Sequence, residues 1–107
     1  IGIHGGDIET SVMLALAPSR VDMAKARDFP SRQSDFTREF KHLRAYGPHA
    51  FGWMMRDLNG DGVAGNAAMA TAEKGRRMID KAARGLVELI EDAAAFDLSI
   101  LAPREMS

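Results

Sequence analysis

The residues best placed to do chemistry lie together near the start of the chain, in His4-Gly5-Gly6-Asp7-Ile8-Glu9-Thr10-Ser11. An imidazole titrates close to neutral pH, so it can ligate a metal or carry a proton. The two glycines after it carry no Cβ and let other groups come close, which makes Gly5 and Gly6 candidate walls of a substrate pocket. Glu9 falls in the first turn of the helix that follows and faces roughly the same crevice. A carboxylate there can enter a metal shell or orient the histidine. The same residues also have a purely structural reading. Asp7 is a plausible N-cap, Glu9 a partner of the helix dipole, and His4 a satisfied residue at a strand end. Spacing alone leaves both readings open.

Other polar motifs are weaker. Asp57-Leu58-Asn59-Gly60-Asp61-Gly62 starts like a calcium loop, but the twelfth position, where that loop needs a bidentate glutamate, is Ala68. A tight glycine turn is the default there. His42 and His49 lack a recognisable ligand spacing and read as surface or loop residues. Trp53 reads as a core anchor, with pocket lining as its alternative role. No nucleophile elbow, phosphate loop or dinucleotide fingerprint is present.

These residues need a frame. Ile1-Gly2-Ile3-His4 alternates β-branched residues with glycine and reads as the end of a buried strand that begins upstream. The expectation is that the chain starts inside a longer protein. A helix follows Gly6 and stops at Pro18; with Ile8, Val12, Ala15 and Leu16 on one side and Met13 and Leu14 on the other, it should be buried nearly all round. Strand end, glycine turn and helix together form the arrangement that sets ligand-binding groups at the edge of an α/β sheet.

From Ser19 to Pro48 both charge signs mix without a period. A solvated connection is expected, anchored by Phe29, Phe36, Phe40 and Leu43, with one short helix or strand. Phe51-Gly52-Trp53-Met54-Met55 reads as a strand. The last element is a long helix from about Thr71 to Phe96, capped by Asn66 or Thr71. Its apolar stripe of Ile79, Ala82, Ala83, Leu86, Leu89, Ile90 and Ala93 requires a sheet to lie on.

Composition narrows the classes. With 107 residues, 46% hydrophobic and 27% charged, the chain suits one globular domain. A net charge of −1 gives no attraction to nucleic acid or an anionic membrane, and no segment is apolar for long enough to span one. The absence of cysteine excludes disulfides, thiolate ligands and a cysteine nucleophile, and agrees with a cytoplasmic location.

Two blocks resemble the creatininase family. His4-Gly-Gly-Asp-Ile-Glu-Thr-Ser, with its apolar helix, Pro18 and Val21-Asp22-Met23, is similar to the family block H-[AG]-G-x-x-E-T-S. Gly62-Val63-Ala64-Gly65-Asn66, followed by Ala70-Thr71-Ala72-Glu73-Lys74-Gly75, is similar to G-V-x-G-[DN] … A-T-A-E-K-G. The resemblance implies a layered α/β fold, a sheet flanked by helices, of which residues 1–107 form the carboxy-terminal part. It also implies a centre of two divalent metal ions, zinc with manganese or iron, and hydrolysis of non-peptide C–N bonds in cyclic or formyl amides, or in one branch cleavage of a peptide precursor. Homo-oligomers are common in such a family. By the resemblance His4 matches a proton shuttle, and Glu9 belongs to the metal shell.

Two departures count against creatinine as the substrate, because Ile3 and Ile1 stand where creatinine-hydrolysing members carry acids. The family's remaining ligands fall before residue 1, so the expected partner is the amino-terminal segment or chain of the same enzyme. The competing expectation is a regulatory or assembly subunit on a degenerate scaffold.

Overall fold

A computed structural model describes residues 2–101. Ile1, read above as part of the strand, lies outside the described residues. The first helix, α1, spans Asp7–Leu16, with Gly6 in extended conformation as its N-cap. Asp7 is therefore not the cap. It is the first helical residue, and its carboxylate points away to another element. Pro18 ends the helix as expected, opening a 3-10 turn over Pro18–Arg20.

α1 is also not buried all round. Ser11 is its one fully covered residue, while Ile8 and Leu16 are largely exposed. Among the described residues α1 packs against the long carboxy-terminal helix and against 3-10 turns at residues 18–20 and 67–69, which leaves Ile8, Met13 and Leu16 exposed.

Strand structure is sparse. Ile3 and His4 donate backbone N–H bonds to the Ala64 carbonyl at 2.8 and 3.1 Å, and Ala64 N–H returns one to His4 at 2.8 Å. This isolated antiparallel bridge stands where the sequence suggested the end of a buried strand, and Gly2 and His4 are exposed beside it. Beside it, β1 (Asp28–Phe29) pairs antiparallel with β2 (Gly65–Asn66) in a two-stranded sheet. The fold is thus mixed helix with a small sheet. Gly65 is required where it stands. Its φ of +149° disfavours any side chain, and a Cβ there would sit 2.7 Å from the Gly6 Cα.

The connection from Ser19 to Pro48 contains β1 and a short helix, α2 (Gln33–Glu39). Phe36 anchors it, with ring centroids 6.2 Å from Phe40 and 5.5 Å from Phe51. The strand expected over Phe51–Met55 does not form. Residues 51–54 lie outside any ladder, and Met55 opens a one-turn helix, α3 (Met55–Leu58). The Asp57 carboxylate accepts from Met54 N–H at 2.8 Å, which starts a helical turn where the apolar pattern alone suggested extension.

The long helix α4 covers Ala72–Ala95, about 36 Å at 1.5 Å per residue. Thr71 caps it, its hydroxyl accepting from Lys74 N–H at 3.2 Å. Only its first turns pack, against α1. From Asp80 to Leu101 every residue is exposed, including Leu86, Leu89 and Ile90 of the predicted stripe. The core is correspondingly small, with Leu58 and four alanines (Ala45, Ala64, Ala67 and Ala70) as its buried apolar residues. The radius of gyration is 19.7 Å, against about 13 Å for a compact chain of this length. The described residues therefore leave much of their apolar surface without cover.

Candidate active site

His4 is held by the Ala64 bridge, and Glu9 projects from the first turns of α1. The turn between them needs Gly5 at φ +67°, where a Cβ would also meet Val63 at 2.9 Å. The geometry brings the two predicted residues together. His4 Nδ1 lies 3.8 Å from Glu9 Oε2, and both side chains are more than half exposed. Glu9 Oε2 also accepts the Gly5 N–H. That bond folds the glutamate back over the glycine turn, and its second oxygen has no hydrogen bond among the described residues.

Two cavities of about 420 Å³ each open here, and His4 and Glu9 line both. One is walled further by Gly6, Asp7, Ile8 and Asn66; the other by Gly5, Met13, Arg20, Asp22 and Lys25. Asn66 Oδ1 is buried with no hydrogen-bond partner among the described residues. Trp53 stands apart. Its indole N–H donates to the Ala45 carbonyl at 2.6 Å, and it borders neither cavity.

Asp7 has a different occupation from the one expected. Lys74 Nζ contacts both of its carboxylate oxygens at 2.8 Å, and the Ser11 hydroxyl donates to Oδ1 at 3.0 Å. The hydrogen bond from Lys74 holds the Asp7 carboxyl below its ordinary range against an opposing desolvation, with Ser11 and the Lys74 charge assisting. Ser11 Oγ in turn accepts Thr71 N–H at 3.1 Å. Gly75 completes the joint. A Cβ at Gly75 would fall 1.9 Å from the Ser11 carbonyl oxygen, so α1 and α4 touch backbone to backbone. Residue type gives only Thr71 a role, as a helix cap; Ser11, Lys74 and Gly75 carry none. The one available signal was that T-x-x-K-G opens a helix.

The remaining motifs are structural. Asn59 Oδ1 accepts from Asp61 N–H at 2.7 Å, its amide donates to the Pro30 carbonyl at 2.6 Å, and Asp61 pairs with Arg27 at 3.2 Å. These atoms, with Asp57, stitch the turn rather than converge on a cation. His42 and His49 meet edge to face at 5.7 Å on an exposed loop. Among the described residues no group of three or more His, Cys, Asp or Glu is arranged to hold a metal. One imidazole and one carboxylate, with an oxygen of the latter committed to Gly5, do not by themselves form a two-cation centre.

The family model described as creatininase, creatinine amidohydrolase, matches residues 1–90. The chain belongs to the creatininase family. A crystal structure from Bacteroides fragilis NCTC 9343, provisionally assigned as a creatinine amidohydrolase, matches with a TM-score of 0.64 and 30% sequence identity. The match covers 90% of this chain and 36% of that one, so the chain spans about a third of that creatininase relative. None of the curated proteins compared with the chain matches it. The two sequence blocks that resembled the creatininase family prove to be the two sides of one joint, with His4 and Glu9 at its open edge.

Proposed function

We propose that this chain supplies the proton-carrying histidine and one wall of the pocket in a metal-dependent amidohydrolase. The substrate class is a small cyclic amide, lactam or formamide. The observation that carries this reading is the meeting of His4 and Glu9 on the shared border of two cavities. Family membership supports the hydrolase class. Ile3, in place of an acid, argues against creatinine itself.

In the reaction, water oxygen adds to the amide carbonyl carbon and the C–N bond breaks. The proton lost by water travels to the leaving nitrogen. His4 is the carrier in this reading, accepting the proton as base and returning it as acid. Glu9 Oε2 lies 3.8 Å from Nδ1; closing to hydrogen-bond distance in the complete site, it would orient the ring as a carboxylate fixes a catalytic imidazole. The two divalent metal ions of the proposal, zinc with manganese or iron, would polarise the amide and ionise the water; of this chain's residues Glu9 would contribute a carboxylate oxygen, and the other ligands would come from the rest of the enzyme.

The partner is the amino-terminal remainder of the enzyme, as the same polypeptide or a separate chain. It completes the layered sheet and covers the bare stripe of α4 and the exposed side of α1. Two facts support this: the chain matches 36% of its solved relative, and the apolar residues of α4 from Leu86 onward are uncovered. Homo-oligomerisation and a cytoplasmic location belong to the same proposal. No helix among the described residues is long and apolar enough to cross a membrane.

The test is His4→Ala in the complete enzyme, assayed on a panel of lactams and formamides. Removing a positioned acid–base group should lower kcat by about 10²–10⁴-fold. Unchanged turnover would transfer the chain to the scaffold class, a regulatory or assembly subunit.

A further inference from the structure

We infer that Lys74 is a positioning residue for the His4–Glu9 pair, acting through Asp7. This rests on the amidohydrolase reading and concerns how its geometry is set. His4 and Glu9 belong to different frames. His4 is fixed by two backbone hydrogen bonds to Ala64, with a third from Ile3 beside it, on the strand side. Glu9 rides on α1, whose first residue is Asp7. A shift of α1 along or about its axis would carry Glu9 away from His4 without disturbing the Ala64 bridge.

One continuous segment prevents that shift. Ala64 grips His4. Gly65 touches the Gly6 backbone, where even a Cβ would come within 2.7 Å of the Gly6 Cα. Ten residues after Ala64, Lys74 grips both oxygens of Asp7 at 2.8 Å, and Thr71 N–H reaches Ser11 at 3.1 Å. Residues 64–75 therefore act as a jig that holds the strand end and the helix start in fixed relation. Lys74 is its only charged contact with α1 among the salt bridges of the described residues, and that pair is only about a quarter to a third exposed. Ordinary helix packing would not need a cation aimed squarely at the first residue of the helix that carries Glu9. Placement of a reacting pair is sensitive to such fixing, since displacement of about 1 Å can cost on the order of a hundredfold in rate.

The test compares Lys74→Met with Lys74→Arg in the complete protein. The readouts are kcat and KM per folded enzyme, and the amide resonance of Gly5, whose N–H is bonded to Glu9. Lys74→Met should lower kcat by about 10- to 100-fold with KM within about twofold, and move the Gly5 resonance. Lys74→Arg, which keeps two donors for the carboxylate, should recover kcat to within about threefold and leave Gly5 in place. If Lys74→Met does not fold, Asp7→Asn, which keeps the shape and removes the charge, is read by the same criteria. Full kcat in Lys74→Met despite lowered stability, or Lys74→Arg as impaired as Lys74→Met, overturns the inference. A wild type without amide hydrolysis, in which Gly5 still responds to Lys74→Met, would sink the amidohydrolase reading and leave the clamp standing. An active wild type whose Gly5 resonance ignores Lys74 would do the reverse.

Discussion

Gly75 and Gly85 lie in the same helix, and the same substitution at each should change stability in opposite directions. Alanine is favoured over glycine in a helix interior by about 1 kcal/mol. At Gly85 no atom lies within 4 Å of the added Cβ, so that gain is realised. Gly85→Ala should stabilise the chain by about 0.5–1 kcal/mol. At Gly75 the Cβ would lie 1.9 Å from the Ser11 carbonyl oxygen, 2.5 Å from its carbon and 3.0 Å from the Ala15 Cβ. The first two are backbone atoms and have no rotamer to escape into. The helices must part by about 1.5 Å, the gap between 1.9 Å and the 3.4 Å at which ordinary contact begins. Overpacking of this kind costs about 1–3 kcal/mol or more. The Thr71–Ser11 hydrogen bond, at 3.1 Å, breaks with it, at a further cost of about 1 kcal/mol. Set against the propensity gain, Gly75→Ala should destabilise by about 1–3 kcal/mol. Urea unfolding of both variants beside the parent chain measures the two signs directly, with unchanged m-values as the check on two-state behaviour. Equal effects at the two sites, or a stabilised Gly75→Ala, would refute the backbone contact between α1 and α4 and everything drawn from it.

Gly65→Ala should destabilise by about 1–3 kcal/mol, because φ +149° and the 2.7 Å approach to Gly6 are both closed to a side chain; thermal unfolding checks it, and a neutral result would mean that the Gly6–Gly65 contact is not formed. Acid should weaken the α1–α4 joint. The Asp7 pKa is lowered in the folded chain, so its contribution is fully present above the unfolded value of about 3.9 and disappears as pH falls from there through the lowered value. Parent minus Asp7→Asn stability, followed from pH 7 to pH 2, should shrink toward zero only below about pH 4, and a difference independent of pH would contradict the ion pair. Millimolar calcium should leave the melting temperature unchanged, since Asp57, Asn59 and Asp61 are engaged with Met54, Pro30 and Arg27; a saturable rise would show that the turn reorganises around the ion.

How much of this was legible depended on how local each signal was. Helices α1 and α4 were readable because their caps and stops lie within a few residues: Pro18 after one, Thr71 before the other. The strand assigned to Phe51–Met55 failed because alternation of apolar residues says nothing about whether a neighbour is present to pair with. Once Asp57 bonds Met54 N–H, a helical turn wins locally. The exposure of Ile8, Leu16 and the outer part of α4 had a visible precursor. A stripe as wide as that of α4 demanded a sheet larger than these residues can build, so the pattern forecast cover and the described structure shows it bare.

At the site, His4 and Glu9 could be paired from sequence because five residues of glycine turn and first helical turn hold them within reach. The Asp7 partner could not, since Lys74 is 67 residues away and a surface lysine in an exposed-looking helix turn has no pattern of its own. Yet the glycine beside it is informative in retrospect. A helix pays about 1 kcal/mol for glycine over alanine, and Gly75 returns that only because Ser11 needs the space. Gly85, under the same penalty, has no such return in the described contacts. The two glycines thus divide α4 into a half whose sequence is explained by the packing seen here and a half whose apolar stripe is explained only by a surface still to be laid against it.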